Sequence, residues 1–302
     1  MTDAVTTGVV TALVVAADSG PLLQDCVRDL LACPQIAAVR LADNASRDGV
    51  PQRVQADCAA ESRFALVNNQ RNLGFGAAVN RLAAGATTPW LAIVNPDCRL
   101  QPAALDALLA IGTGQPDVGL IGALIVDEAG RIEPASRRRD PLLSRLLVTL
   151  GLRRGDAINM DAPESADAAC GETVEAVSGA LMLVRRDVFE QLGGFDEGYF
   201  LHFEDLDLCR RTRDAGHRVV LASQIRVVHV KGSSSRHRPV FVAWHKHRGL
   251  WRWLRTFDPA LRNPLLAAVV WCGIWVHFLV LLPRHLLQRA AALTRPRRQP
   301  RA

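Results

Sequence analysis

The chain has 302 residues, of which 49% are hydrophobic and 22% charged, a balance typical of a globular protein and not of a disordered one. Its net charge of +6 is unevenly distributed, because residues 1–230 carry 7 excess negative charges and residues 231–302 carry 13 excess positive charges. The basic end predicts an anionic partner, either a nucleic acid or a lipid surface. The seven cysteines form no C-x-x-C pair and no signal peptide is recognisable, so we expect a reduced, cytosolic setting.

Short apolar, β-branched runs alternate with amphipathic segments in the first third of the chain. The predicted strands are Val9–Ala16, Ile36–Leu41, Phe64–Asn68 and Trp90–Val94. The predicted helices are Leu22–Ala32, Pro51–Ala60 and Phe75–Ala84. This alternation predicts an α/β fold with a parallel sheet covered on both faces, and such sheets bind ligands beyond the carboxyl ends of their strands.

Polar residues cluster where the second, third and fourth predicted strands end. They are Asp43, Asn44 and Ser46, then Asn69, Arg71, Asn72 and Gly74, then Asn95, Pro96 and Asp97. Turn chemistry alone explains any one cluster, but three on successive strand ends favour a shared nucleotide crevice. A P-loop or dinucleotide site is not supported, because neither G-x-x-x-x-G-K-[ST] nor G-x-G-x-x-G follows the first strand.

The alternation weakens between Asp127 and Cys170. Arg137–Arg139 lead into an apolar stretch, Leu142–Leu152, and then into a Gly/Asp/Ala-rich stretch, Gly155–Ala169. Two interpretations stay open: a surface insertion or mobile loop, or a lid whose arginines face a phosphate-bearing lipid acceptor.

The stretch Gly193–Arg211 carries the strongest signal for chemistry. Its sequence, GGFDEGYFLHFEDLDLCRR, places acids between a glycine pair and a predicted helix that begins near Asp205. Acids at a helix start can act simply as caps, because the helix dipole keeps carboxylates ionised there. Asp207 has Arg210 and Arg211 within reach along the helix surface. Asp205 has no obvious local partner, and it is therefore a candidate general base.

Asp97 and His229 are candidates for a divalent-metal site. Asp97 follows a predicted strand, although one carboxylate is weak support for a metal that needs convergent ligands. His229 closes the apolar run Gln224–Val230 and precedes Gly232–Ser235, a loop suited to phosphate oxygens. The alternative interpretation is an ordinary core or surface histidine.

Taken in order, these motifs resemble those of the family-2 glycosyltransferases of GT-A fold. The motifs are DNASRDG (Asp43–Gly49), RNLGFGAAVN (Arg71–Asn80), NPD (Asn95–Asp97), SGALMLVRR (Ser178–Arg186), the stretch Gly193–Arg211 and HVKGSS (His229–Ser234). The similarity is greatest to the rhamnosyltransferase-like branch, which builds bacterial cell-wall and surface polysaccharides. It implies a Rossmann-like, mostly parallel mixed sheet flanked by helices in residues 1–235.

The resemblance also implies a role for each matched residue. Asp205 matches the family's general base, Asp97 the last acid of the D-x-D-type metal motif, and His229 the histidine that reaches the metal or diphosphate. Asn95 stands in place of an acid of that motif, so the metal site has one carboxylate fewer. Asp43 matches the acid that contacts the nucleotide base or ribose, and with the other strand-end residues it completes the expected donor-binding set of Asp43, Asn44, Ser46, Asn72, Gly74 and Asn95. The implied acceptor-side residues are Glu204, Asp207 and His202. Ala16-Ala17-Asp18 departs from the branch's usual Asn or Tyr-Asn at the end of the first strand.

The implied activity is an inverting hexosyl transfer that depends on Mg²⁺ or Mn²⁺. We expect L-rhamnose to move from dTDP-rhamnose to a hydroxyl of a polyprenyl-linked or cell-envelope glycan. One competing interpretation is an inactive, membrane-bound sugar-nucleotide or glycan-binding module, which would not need Asp205 and Asp97 together. Nucleotidyl transfer is a second alternative, but it would want a Gly-rich phosphate loop and an early lysine, whereas the first lysine here is Lys231.

The composition shifts after Ser235, and residues 236–302 predict a basic, apolar helical extension. Val240–Phe257 is rich in Trp, His and Arg, and the 18 residues Leu265–Leu282 contain no Lys, Arg, Asp or Glu. A helix of that length spans about 27 Å, close to a hydrocarbon core. His277 and the basic flanks favour a peripheral or monotopic helix on the cytoplasmic face of a membrane. A single crossing helix and a buried core helix are the alternatives, and nucleic-acid binding would leave the apolar run without a role.

Overall fold

A nine-stranded mixed sheet lies at the centre of the computed structural model, which describes residues 8–159, 171–230 and 238–294. The strands are β1 (Val10–Ala16), β2 (Ile36–Asp43), β3 (Phe64–Asn68), β4 (Trp90–Val94), β5 (Cys98–Arg99), β6 (Val118–Val126), β7 (Glu172–Thr173), β8 (Leu181–Arg185) and β9 (Arg218–His229). Their order across the sheet is β3-β2-β1-β4-β8-β6-β9-β5, and β7 also pairs with β9. Strands β1 to β4 run parallel, whereas β8 runs antiparallel to both β4 and β6.

Helices cover both faces of the sheet. They are α1 (Leu22–Leu31), α2 (Val50–Asp57), α3 (Phe75–Ala83), α4 (Pro102–Gly114), α5 (Leu143–Thr149), α6 (Arg186–Gln191), α7 (Glu204–Asp214), α8 (Pro239–Phe257) and α9 (Pro264–Thr294). Helices α1, α2 and α4 share one apolar core with the sheet, and α3, α6 and α7 share the other. Every residue of β1, β4 and β6 is buried, which is why these strands are continuous apolar runs.

The predicted alternation of strands and helices up to Val94 is confirmed, and the predicted strands end within two residues of the observed ones. The predicted strand Gln224–Val230 is only the second half of β9, which already begins at Arg218. Burial is interrupted at Ser223 and Gln224 in the middle of that strand, so its apolar periodicity breaks there.

The described part of the segment after β6 is docked onto α7 by ion pairs. The buried carboxylate of Asp140 accepts hydrogen bonds from Arg210 (3.1 Å) and Arg213 (2.6 Å) of α7. Arg145 of α5 pairs with Glu175 at 2.6 Å. This segment is therefore attached to the domain rather than a free loop up to residue 159, and the remainder of the Gly155–Ala169 stretch lies outside the described residues.

Helices α8 and α9 pack against each other through one aromatic-rich stripe. Trp244 of α8 contacts Trp275 and Phe278 of α9, with ring centroids 4.6 and 5.7 Å apart. The stretch Pro264–Gln288 is long and apolar enough to cross a membrane, yet only 17% of its most apolar window is buried within the protein. The buried-core-helix interpretation of this run is therefore wrong.

Candidate functional site

A short segment, Ser178–Ala180, connects the two halves of the predicted site. The carbonyl oxygen of Ala180 accepts hydrogen bonds from the Asn95 amide (2.9 Å) and the Cys98 thiol (3.3 Å), on the side where Asp97 lies. On the other side, the Gly179 amide donates to Oδ2 of Asp205 (3.1 Å). A Cβ at Gly179 would lie 3.0 Å from that of Asp205, so glycine permits this approach. The segment thus links Asp205 to Asn95 and Cys98, the residues on either side of Pro96-Asp97.

Asp205 lies in the first turn of α7, and its carboxylate has a partner that is distant in sequence. Oδ2 accepts hydrogen bonds from Arg138 and Gly179, and Oδ1 accepts one from the Leu206 amide (2.9 Å). Burial opposes the charged form, but the Arg138 guanidinium and these hydrogen bonds outweigh it and lower the pKa of Asp205. The search for local partners of Asp205 missed Arg138, because the pairing spans 67 residues.

Glu204 and His202 flank Asp205 with buried polar atoms. Neither Oε2 of Glu204 nor Nε2 of His202 has a hydrogen-bond partner in the described structure. Burial, followed by the neighbouring Asp205 charge, raises the pKa of Glu204. Burial, followed by the Lys246 charge, lowers the pKa of His202 to about 4, which leaves the imidazole neutral. Buried polar groups without partners are costly, so their clustering here indicates a place for a polar ligand.

The backbone just before α7 is strained. His202 and Phe203 have φ values of 66° and 73°, a region that residues other than glycine rarely occupy. Helix α8 supports this turn, because a Cβ at Gly249 would lie 3.1 Å from the His202 carbonyl oxygen. Arg252 of α8 also holds Asp196 through two hydrogen bonds of 2.8 Å. The predicted C-terminal extension therefore contacts the turn that carries the acceptor-side residues.

Asp207 is buried and faces the protein rather than the crevice. Its Oδ2 accepts a hydrogen bond from Arg211 (2.6 Å), which also donates to the carbonyls of Leu192 and Gly194 (both 2.9 Å). The predicted helix-surface pairing with Arg211 is thus present, whereas Arg210 pairs with Asp214 and Asp140 instead. Through Arg211, Asp207 therefore stabilises the packing of the turn at Gly194 against α7.

Strand pairing brings Asp97 and His229 together. Cys98 of β5 lies opposite His229 of β9, and Nε2 of His229 lies 3.0 Å from Oδ1 of Asp97. Nδ1 of the same ring lies 3.1 Å from Oε1 of Glu133. Burial lowers the pKa of His229, but the two carboxylates outweigh it and the pKa is raised overall. Sequence inspection missed Glu133, which lies 96 residues before its partner and belongs to no motif.

Two of the three donor atoms in this cluster suit Mg²⁺ or Mn²⁺. One carboxylate oxygen, one imidazole nitrogen and the Cys98 sulfur lie within 4.8 Å of one another. The Cys98 thiol donates to Ala180, and burial raises its pKa well above the ordinary value, so it stays protonated. Asp97 and His229 are thus the fitting ligands, with Glu133 orienting the ring as carboxylates commonly do behind metal-binding histidines.

Five of the six predicted donor-binding residues lie in hydrogen-bonded loops at the ends of β2 and β3, and the sixth, Asn95, follows β4. Asp43 accepts from the Ser46 amide (2.8 Å) and from Gln52 (2.9 Å). Oδ1 of Asn44 accepts from Asn69 (2.8 Å), and its amide donates to the Gly74 carbonyl (3.0 Å) and to Asn72 (3.2 Å). Many of these polar side chains therefore stabilise the conformation of the crevice loops. Their contacts with the donor remain a prediction.

Gly74 has a specific reason to be glycine. Its φ is 87°, and a Cβ there would lie 2.6 Å from the Phe200 carbonyl oxygen. The loop before α3 therefore packs directly on the turn before α7. A cavity of about 690 Å³ opens beside this contact, with Asn72 and Phe200 but neither Asp97 nor Asp205 in its lining. The candidate residues Asp97 and Asp205 are thus not among the residues that line this cavity.

Comparison with known proteins identifies the family. The family model described as "Glycosyltransferase like family 2" matches residues 7–255. The chain belongs to this family of glycosyltransferases. The predicted family is thereby confirmed, and the match extends beyond the predicted boundary at Ser235 to include most of α8.

Two curated relatives of this family-2 glycosyltransferase are named as rhamnosyltransferases. The N-acetylglucosaminyl-diphospho-decaprenol L-rhamnosyltransferase of Mycobacterium tuberculosis is 33% identical over 296 residues, which cover 86% of this chain and 93% of the relative. Rhamnosyltransferase WbbL of Escherichia coli is 34% identical over 106 residues, covering 35% of this chain and 39% of the relative. The similarity thus covers nearly the whole length of the first of them.

Solved structures confirm the GT-A fold. The mannosyltransferase PcManGT from Pyrobaculum calidifontis, in complex with GDP-Man and Mn²⁺, superimposes with a TM-score of 0.58 at 19% identity, covering 94% of this chain and 74% of that one. GalNAc-T7 with UDP, GalNAc and Mn²⁺ also gives a TM-score of 0.58, at 16% identity, covering 74% of this chain and 43% of that one.

Proposed function

We propose that this family-2 glycosyltransferase transfers L-rhamnose, with inversion, from dTDP-rhamnose to a hydroxyl of a lipid-linked glycosyl diphosphate. The juxtaposition of Asp205 with the Asp97–His229 pair, through Ser178–Ala180, is the observation that carries the proposal. The extensive similarity to an L-rhamnosyltransferase of a diphospho-decaprenol acceptor supports the choice of sugar and acceptor. The inactive binding module is disfavoured, because binding alone does not need a buried carboxylate opposite a metal site.

The reaction chemistry follows from where these residues lie. Asp205 accepts the proton of the acceptor hydroxyl while that oxygen forms a bond to the anomeric carbon. The bond from that carbon to the donor diphosphate breaks on the opposite face, and its electron pair leaves with the nucleoside diphosphate. Attack and departure on opposite faces invert the configuration of the sugar carbon.

A panel of sugar nucleotides tests the proposal. The full chain is incubated with Mn²⁺, an N-acetylglucosaminyl diphosphate lipid and dTDP-rhamnose, UDP-sugars or GDP-sugars in turn. We expect transfer from dTDP-rhamnose, detected by mass spectrometry of the lipid product. Transfer from another donor would replace the sugar assignment, and binding without any turnover would favour the inactive module.

Asp97 and His229 would hold the divalent ion, with Glu133 behind the histidine ring. When bound, Mg²⁺ or Mn²⁺ offsets the negative charge of the donor diphosphate. The residues themselves contribute a largely shielded carboxylate and an imidazole that is held between Asp97 and Glu133.

Glu133→Gln is expected to weaken Mn²⁺ binding by roughly 10- to 100-fold, because a neutral amide holds the His229 ring less firmly. Isothermal titration of Mn²⁺ measures this directly. The control is Glu128→Gln, an exposed acid on the same segment. Equal Mn²⁺ affinity in both variants would remove Glu133 from the site.

The α8–α9 hairpin supports a membrane-associated, cytoplasmic placement. Exposed apolar side chains on α9 include Leu265 (78% exposed), Val280 (70%) and Leu287 (72%). Its middle packs on α8, which carries Lys246, Arg248, Arg252 and Arg255 and is too charged for the hydrocarbon core. A helix that is packed in this way fits the membrane interface as a monotopic anchor. Its exposed apolar side chains, which form the apolar stripe of α9, would then contact the lipid.

Val280→Asp is expected to lower partitioning onto phosphatidylglycerol-containing vesicles by roughly 10²-fold, since an aspartate in the apolar stripe must enter lipid. Vesicle co-sedimentation of the full chain measures the partition coefficient. Thr256→Asp adds the same charge at an exposed position of α8, outside the stripe, and serves as the control. Equal partitioning of both variants would argue against lipid contact by α9.

A further inference from the structure

We propose that Arg138 masks the general base and releases it when the acceptor's diphosphate arrives. The proposal rests on the function proposed above and adds a residue that selects the acceptor. Its starting point is that Asp205, the base, shares one oxygen between Arg138 and the Gly179 amide. A carboxylate neutralised in this way holds a proton poorly. In the enzyme without bound acceptor, Asp205 is therefore a weak base.

The three neighbouring arginines of the segment after β6 have different partners. Arg137 pairs with Glu172, and Arg139 lies 3.7 Å from Asp156. Arg138 alone of the three pairs with Asp205, and both side chains of that pair are largely shielded, with 14% and 15% exposure. The structure therefore separates one arginine at the site from two that stabilise the segment.

The backbone of Arg138 is fixed while its side chain keeps an unused donor. Its amide and carbonyl form reciprocal hydrogen bonds with Ala176, both 3.0 Å long. The guanidinium uses Nη2 for both of its contacts, to Val177 (2.7 Å) and to Asp205, and its buried Nε has no partner. A second anion at this place can therefore be bound by rotation of one side chain, without moving the fold.

The position of the pair points to the acceptor rather than the donor. Arg138 and Asp205 lie on one side of Gly179–Ala180, and Asp97 with His229 lies on the other, where the donor diphosphate binds under the proposed function. In a lipid-linked glycosyl diphosphate, the phosphates are one sugar ring away from the hydroxyls that can accept. The acceptor thus carries an anion that can exchange with Asp205 for the guanidinium.

The exchange keeps Arg138 paired with an anion throughout. Asp205 loses its counter-charge but keeps the hydrogen bonds from the Gly179 and Leu206 amides. Once Arg138 binds the phosphates, the carboxylate of Asp205 becomes the stronger base that the transfer requires. Acceptors without a diphosphate would leave the base masked. The selectivity arises because the diphosphate of the acceptor itself binds Arg138 and so frees Asp205 to act as the base.

Acceptor preference tests the proposal at saturating dTDP-rhamnose. The two acceptors are an N-acetylglucosaminyl diphosphate lipid and an alkyl N-acetylglucosaminide of matched chain length. We expect wild-type kcat/KM to favour the diphosphate by roughly 10- to 100-fold, the range of a charge-assisted hydrogen bond. Arg138→Gln should remove this preference from both sides, because the unmasked Asp205 speeds transfer to the neutral acceptor and the diphosphate acceptor loses its cationic partner. Arg139→Gln should retain the preference.

Arg138→Lys provides a second test if Arg138→Gln does not fold. It keeps the charge but not the planar fork, so we expect a preference that is smaller than that of the wild type. A wild-type preference in either Arg138 variant overturns the proposal, and so does a change confined to the KM of the donor. If the wild-type protein transfers no sugar to either acceptor, the proposed function fails instead.

Discussion

Asp205→Asn is expected to slow sugar transfer by roughly 10²–10⁴-fold, the contribution typical of a general base. The amide keeps the shape of the side chain but cannot accept the proton of the acceptor hydroxyl. Binding of dTDP-rhamnose should be unchanged, because the proposed donor contacts are those of Asp97 and of the loops after β2 and β3. Single-turnover transfer and donor titration separate the two effects.

The stability of this variant needs its own control. Asn at position 205 leaves the largely shielded Arg138 without a counter-charge. Breaking a fully buried pair costs about 3–5 kcal/mol, which is the upper limit here. Asp140→Asn is a matched variant, because Asp140 is also a buried acid held by arginines of the same region. Both variants should unfold at lower urea concentration, and only Asp205→Asn should lose transfer per folded molecule. A comparable loss of transfer per folded molecule in both variants would mean that Asp205 supports the fold rather than the reaction.

Asp97→Asn is expected to reduce transfer by roughly 10²–10³-fold, because Asp97 is the charged member of the two proposed metal ligands. The same variant should lose Mn²⁺ binding, and chelation with EDTA should reduce the wild-type protein to a similar rate. Donor affinity should fall along with metal affinity, since the diphosphate is then bound without the cation. Transfer assays over a range of Mn²⁺ concentrations measure both quantities.

Asp127→Asn is the control for Asp97→Asn. Asp127 carries an equal charge on the segment after β6, and its partner is the exposed Arg131. It should retain wild-type Mn²⁺ affinity and rate. Wild-type Mn²⁺ affinity in Asp97→Asn would place the ion elsewhere and leave the His229 pairing as an internal ion pair.

Helix α8 shows where a boundary drawn from composition departs from the packing. The composition shift after Ser235 marks the start of the basic region, but α8 packs on the strained turn at His202 and holds Asp196 through Arg252. Composition indicates which segments are suited to contact lipid or water. It does not report which helix supports a catalytic loop, since that depends on contacts such as Gly249 against Phe203.

The amino-acid sequence by itself determined the alternation of strands and helices, the family and the identity of Asp97, Asp205 and His229 as the candidate site. These features are local, because burial periodicity, turn residues and short motifs are all written within a few neighbouring positions. Only the tertiary structure decided which charges neutralise one another over long sequence separations. Arg138 faces Asp205 across 67 residues and Glu133 faces His229 across 96, distances over which no sequence spacing constrains a contact. Pairings of this kind are set by the sheet order and by the docking of the segment after β6.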